Sequence, residues 1–110
     1  MRAIGPFDQL PEGDATGLRL TLEDGPLDLI VLRRGRRVFA YRNVCPHRGT
    51  SLDWIPGRFL DPTQRYLQCA THGALFDPET GYCVAGPCRG DRLRAVPVWV
   101  DTEGQVCVSS

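Results

Sequence analysis

Two short stretches constrain this chain more than anything else in it: Cys45-Pro46-His47-Arg48-Gly49-Thr50 and Cys69-Ala70-Thr71-His72-Gly73-Ala74. Each offers one thiol and one imidazole. The only two histidines in 110 residues both lie here, each within three residues of a cysteine. In an extended segment residues i and i+2 point the same way, so Cys45 and His47 can face one object, and a single tight turn brings Cys69 and His72 together. The small residues behind each pair, Gly49-Thr50 and Gly73-Ala74, let backbone approach closely and turn amide N–H groups toward sulfur. A buried cysteine beside a satisfied core histidine is ordinary packing once; the mirrored layout points instead to two loops closing over a shared metal centre.

How the donors are distributed bears on which metal fits. A structural zinc finger pairs Cys with Cys and His with His at C-x2-4-C and H-x3-5-H spacing. Here each loop mixes the two types. A binuclear iron–sulfur cluster with two Cys on one iron and two His on the other suits such loops, because each loop then serves both irons.

C-x-H followed by C-x-x-H-G resembles the Rieske [2Fe-2S] proteins, and the surroundings agree: Cys45-Pro46-His47-Arg48-Gly49 runs on to Leu52-Asp53, and Cys69 to Gly73 runs on to Phe76-Asp77 and Gly81. The resemblance implies one [2Fe-2S] cluster, with Cys45 and Cys69 on an inner iron and His47 and His72 on an outer, solvent-facing iron. The stretch from His47 to Cys69 is a few residues longer than usual in the family, so Trp54 to Tyr66 reads as a surface insertion. Thr50 and Thr71 stand where the high-potential respiratory members carry a disulfide, and Ala74 and Phe76 where those members place Ser and Tyr hydroxyls that hydrogen-bond to sulfur. Lost donors disfavour the extra electron, so the resemblance implies the low-potential, ferredoxin-type branch.

A chain of this length makes one domain, 1–110, with a small core. Hydrophobic content of 42% and charged content of 24% are those of a globular protein. There is no apolar run long enough to span a membrane and no signal-peptide pattern at Met1 to Pro6, so the expected location is cytoplasmic. The balance of 13 basic and 13 acidic residues argues against nucleic acid. Every basic residue is Arg. The one dense basic run, Arg33-Arg34-Gly35-Arg36-Arg37, reads as a solvated hairpin tip, with docking of an acidic redox partner as the alternative.

Strand rhythm frames the motifs. Residues 1–15 read as an edge segment anchored by Phe7 and Leu10. Leu18, Leu20 and Leu22 alternate with polar or small residues, Leu27 to Leu32 is continuously apolar, and Arg37 to Arg42 returns to deliver the chain to Cys45. Residues 44 to about 90 are rich in Gly and Pro, with short strands expected at Tyr66 to Gln68 and Leu75-Phe76 and a turn at Asp77 to Gly81. Strands resume at Leu93 to Val100 and Gln105 to Val108, joined by a turn at Asp101 to Gly104. The expected fold is all-β: a six-or-so-stranded antiparallel base, sandwich or barrel as in Rieske proteins, with a loop-rich cluster-binding subdomain inserted at approximately 44–90. Trp54 and Trp99 read as core and loop-packing residues, Cys83 and Cys88 as small residues lining the cover of the centre, and Cys107 as a packed thiol.

Four protein ligands leave no open position for substrate, so the centre accepts and releases one electron rather than transforming a molecule. The family's terminal oxygenases add a mononuclear iron held by two His and a carboxylate, and no histidine remains here for that site. The expectation is an electron-transfer component more than a self-contained catalyst: a soluble carrier from a reductase to an oxygenase or similar acceptor. A small redox subunit held permanently in a larger complex, and a zinc-binding or redox-sensing interaction module, stay open as alternatives.

Overall fold

A computed structural model describes residues 2–22, 25–46, 52, 59–69 and 73–109. Among the described residues there are nine strands and one 3-10 turn, Phe7–Gln9. The strands are β1 (Arg2–Pro6), β2 (Ala15–Leu22), β3 (Gly25–Arg34), β4 (Arg37–Arg42), β5 (Leu67–Gln68), β6 (Leu75–Phe76), β7 (Cys83–Ala85), β8 (Val98–Val100) and β9 (Gln105–Val108). They form three three-stranded sheets in the orders β1-β9-β8, β2-β3-β4 and β5-β6-β7, with every pairing antiparallel.

The continuous apolar run predicted to be a buried strand is β3, and its register explains why it is apolar on both faces. Ile30 pairs with Gly17 and Tyr41, and Leu32 with Ala15 and Phe39. That face packs into one core cluster together with Cys45, Leu52, Phe59, Leu67, Cys69, Ala74, Phe76, Cys83, Cys88 and Leu93. The alternate residues Leu27, Leu29 and Val31 turn the other way and pack with Ala40, Val96 and Val108, and with the partly buried Ile4, Leu18, Leu20 and Val98. Burying each such side chain contributes about 1.5–3 kcal/mol. The central sheet therefore separates a β sandwich made with β1, β8 and β9 from the half of the molecule that carries the cysteine motifs.

Three local devices fix the second half on that sheet. Gly17 lies so close to Phe59 that a Cβ there would stand 2.8 Å from the ring, which seats the start of the 59–69 segment on β2. Asp61 is 7% exposed and accepts hydrogen bonds from Thr63 Oγ1 at 2.7 Å and from the Arg65 and Tyr66 amides at 3.1 Å each, turning the chain toward β5. Tyr41 is 2% exposed and donates its hydroxyl to the Pro78 carbonyl at 2.8 Å, tying β4 to the turn after β6.

The base has six strands among the described residues, β1 to β4, β8 and β9, as expected, and the expected edge segment contains β1, paired with β9. Two other expectations need correction. Within Leu93 to Val100 only Val98–Val100 is a strand. Residues 92–96 cover the edge of β4 through isolated contacts, Tyr41 with Ala95, the Arg42 amide with the Arg94 carbonyl, and the Val96 amide with the Ala40 carbonyl. Trp99 is 38% exposed and belongs to no core, because β8 is an edge strand. Trp54, with residues 55–58 of the expected insertion, lies outside the described residues, whereas residues 59–66 are described. Among the described residues no helix is long and apolar enough to cross a membrane.

Candidate metal centre

Each cysteine motif leaves a regular strand and is closed at its base by a specific hydrogen bond. β4 ends at Arg42, and Asn43 accepts the Leu52 amide on its side-chain oxygen at 2.8 Å, pinching the loop that begins at Cys45. An Asx side chain supplies the acceptor that a turn of this kind needs. The second loop follows β5: the Cys69 amide donates to the Ala74 carbonyl at 2.9 Å, and the Gly73 amide donates back to the Cys69 carbonyl at 2.8 Å. Gly73 adopts φ +68°, the left-handed conformation that glycine takes without strain. Motif spacing alone does not single out Asn43; an Asn directly after the last strand residue is the signal the sequence offers for it.

Of the four residues predicted to bind the centre, the structure places two. Cys45 and Cys69 are both fully buried, from segments far apart in the chain, and they meet in the same core cluster as Leu52, Ala74 and Phe76. His47 and His72 lie outside the described residues. Among the described residues no group of three or more His, Cys, Asp or Glu side chains is arranged to hold a metal ion by itself.

The remaining cysteines divide into two kinds. Cys83 and Cys88 are 6% and 2% exposed and belong to the cluster of Cys45, as expected for small packed residues. Cys83 donates its thiol to the Ala85 carbonyl at 3.1 Å, while its amide donates to the Asp91 carbonyl at 2.9 Å and so closes the loop that carries Cys88. The Cys88 thiol is pushed up to about 12, first by burial and then by the neighbouring Cys45 and Cys83 sulfurs, so it stays a protonated, neutral thiol beside Cys45. Cys107 sits on β9 in the other half of the molecule, 1% exposed, its thiol raised by burial and by Asp101. It is a packed thiol, as the alternation around it predicts. None of the five cysteines is in a disulfide.

This donor set fits a metal–sulfur group. Two buried thiols on separate, pinched loops with no disulfide between them are what an iron–sulfur cluster needs from the protein on its inner side. The surroundings are apolar: Leu52, Ala74 and Phe76 are all fully buried, and none brings a hydroxyl.

The class this defines is a small antiparallel β protein that buries cysteines from two loops, Cys45 and Cys69, in one core cluster. The model of the Rieske [2Fe-2S] domain matches residues 2–106, and the chain belongs to that family, whose cofactor is one [2Fe-2S] cluster. Among solved structures it is similar to the ferredoxin of carbazole 1,9a-dioxygenase from Nocardioides aromaticivorans IC177, at 30% identity and TM-score 0.75 over 98% of this chain and 95% of that one. It shares its fold with a chain of the complex of reduced oxygenase and oxidized ferredoxin in carbazole 1,9a-dioxygenase, at 24% identity and TM-score 0.72 over 98% and 100% of the two chains. The Sphingomonas yanoikuyae B1 ferredoxin matches at 23% identity and TM-score 0.69 over 99% and 97%. No curated protein sequence matches the chain.

Proposed function

We propose that the protein is a diffusible one-electron carrier of the ferredoxin type, working in the cytoplasm and passing electrons from a reductase to an oxygenase. The observation that carries this is the convergence of two fully buried thiols, Cys45 and Cys69, in a chain of the Rieske family. The similarity to a ferredoxin that serves carbazole 1,9a-dioxygenase supports an oxygenase as acceptor.

In this reading Cys45 and Cys69 hold the inner iron, His47 and His72 hold the outer one, and residues from about 44 to 90 act as the cluster-binding part of a single domain. When bound, the cluster takes up and releases one electron. The residues of the chain do the rest. The Asn43–Leu52 and Cys69–Ala74 hydrogen bonds close each loop at its own base, which limits movement of the ligands when charge changes. Leu52, Ala74 and Phe76 exclude water from the thiol side, so exchange with a partner runs through the histidine side.

The test is an EPR spectrum of the purified, dithionite-reduced protein with iron and zinc counted on the same sample. Two irons per chain and a rhombic signal with an average g below that of all-cysteine ferredoxins are expected. One zinc per chain with no signal would refute the reading. A reconstituted relay from reductase to oxygenase that still turns over with His47→Ala or His72→Ala would also count against it.

A further inference from the structure

The arginine run that the sequence displays most openly is largely spoken for in the fold. Arg33 pairs with Glu12 at 3.2 Å and stacks over Phe7, Arg37 pairs with Glu79 at 2.7 Å and stacks over Phe39, and Arg34 donates to the carbonyls of Gln64 and Arg65. The free positive charge gathers elsewhere. Arg42, Arg92 and Arg94 line an open groove of about 340 Å³ together with Ala95, and among the described residues no carboxylate lines it. None of the three makes an ion pair among the described residues.

In the chain, the residues of this groove lie on either side of the cysteine loops. Arg42 closes β4 three residues before Cys45, and its amide donates to the Arg94 carbonyl at 2.9 Å. Leu93, between Arg92 and Arg94, is 1% exposed and packs in the same cluster as Cys45, Cys69, Cys83 and Cys88. Arg92 lies 5.6 Å above the ring of Tyr82, which is 50% exposed, and Val44, between Arg42 and Cys45 in the chain, is 45% exposed. Arg and Tyr around exposed apolar side chains, with unpaired charge of one sign, make the composition of a protein-recognition patch.

We propose that the groove of Arg42, Arg92 and Arg94 is where an acidic surface segment of the electron-transfer partner docks, its carboxylates entering the groove while Val44 and Tyr82 give apolar contact. The proposal rests on the carrier reading. Charge complementarity selects the occupant: guanidinium groups in an open, carboxylate-free groove favour carboxylates, which they can grip in a bidentate fork. Long-range attraction of this kind acts mainly on the rate of encounter, so docking should weaken as salt rises.

The experiment compares Arg92→Glu/Arg94→Glu with Arg36→Glu/Arg65→Glu, which reverses the same net charge at exposed sites outside the groove. Iron content and the reversible one-electron wave are recorded on every variant. A fluorescein-labelled hexaglutamate peptide is titrated by anisotropy at low salt. The reduced proteins are also mixed in stopped flow with anionic hexacyanoferrate(III) and with cationic tris(phenanthroline)cobalt(III). Wild type should bind the peptide, and the groove variant should lose about fivefold or more in affinity while the control stays near wild type. Oxidation by hexacyanoferrate should slow, and oxidation by the cobalt complex quicken, in the groove variant only.

Equal changes in both variants, or none in either, would overturn the groove. Peptide binding specific to the groove without the reversal between the two oxidants would overturn its place at the electron exit. Binding of inorganic phosphate as tight as that of the peptide would replace a partner segment with a small anion as occupant. Absence of a reversible wave in wild type would sink the carrier reading separately, whatever the peptide does. Should Arg92→Glu/Arg94→Glu lose its iron, Arg92→Gln/Arg94→Gln carries the same comparison against Arg36→Gln/Arg65→Gln.

Discussion

The backbone of Gly86 lies directly against Ala74: a Cβ on Gly86 would stand 2.7 Å from the Ala74 Cα and 3.3 Å from its nitrogen. Through this contact the Gly86-Pro87-Cys88 segment covers the loop that begins at Cys69. Both neighbours are backbone atoms, so no side-chain rotation can relieve a clash.

Gly86→Ala is therefore expected to loosen the second loop beyond the cost of strain alone. Gly90 is its internal control, with φ +98° against +99° for Gly86 and no atom within 4 Å of where a methyl group would stand. The conformational strain is common to both, about 1–3 kcal/mol. Melting temperature and iron per chain should fall further for Gly86→Ala than for Gly90→Ala; equal losses would show that the contact with Ala74 carries nothing.

Tyr41 supplies a pH signature. Burial, with Asp77 and Glu79 nearby, pushes its hydroxyl up to about 12 from 10.0. Between those values the unfolded chain has lost the phenolic proton while the folded protein keeps it, so the unfolded state binds fewer protons and stability falls as pH rises. The loss amounts to about 2–3 kcal/mol by the upper end of that window. Tyr41→Phe should remove this slope, and below pH 10 should cost about 1–3 kcal/mol by leaving the Pro78 carbonyl without its donor. Denaturant melts of both proteins from pH 8 to 12 would decide it; parallel curves would refute the assignment.

Cysteine substitutions should separate by location. Cys45→Ala and Cys69→Ala are each expected to abolish iron binding, whereas Cys107→Ala, in the opposite half of the molecule, should keep the iron and lose only packing stability. Iron analysis on the three purified variants gives the answer. Full iron in Cys45→Ala or Cys69→Ala would remove that residue from the ligand set.

The reduction potential should lie toward the low end of the roughly −150 to +300 mV range of Rieske centres. Ala74 and Phe76 are fully buried and bring no hydroxyl to sulfur, in contrast to the high-potential members of the family, which place Ser and Tyr hydroxyls at these positions. Ala74→Ser should raise the midpoint in protein-film voltammetry, because a donor stabilises the added electron. A wild-type midpoint well above zero would contradict this.

Much of the molecule is legible in its residues alone. Local periodicity reveals β2, β3 and β4 because side-chain alternation is written residue by residue. Cys45 and Cys69 declare themselves through spacing and through their rare histidine neighbours. Trp99 is misjudged because an apolar ring at a strand position says nothing about whether the strand lies at an edge. The central position of β3, apolar on both faces, is visible as a pattern, but which face meets the cysteine loops is not.

The sequence by itself determined the chemistry available at the centre and the rhythm of the strands. Tertiary structure decided which distant groups meet: Cys88 beside Cys45, Gly86 over Ala74, and Arg42 with Arg92 and Arg94 around one groove while the more obvious arginines pair with Glu12 and Glu79. Periodicity is a property of neighbours along the chain, whereas these encounters depend on register and on the path of the chain between sheets, where a shift of one residue turns every side chain to the opposite face.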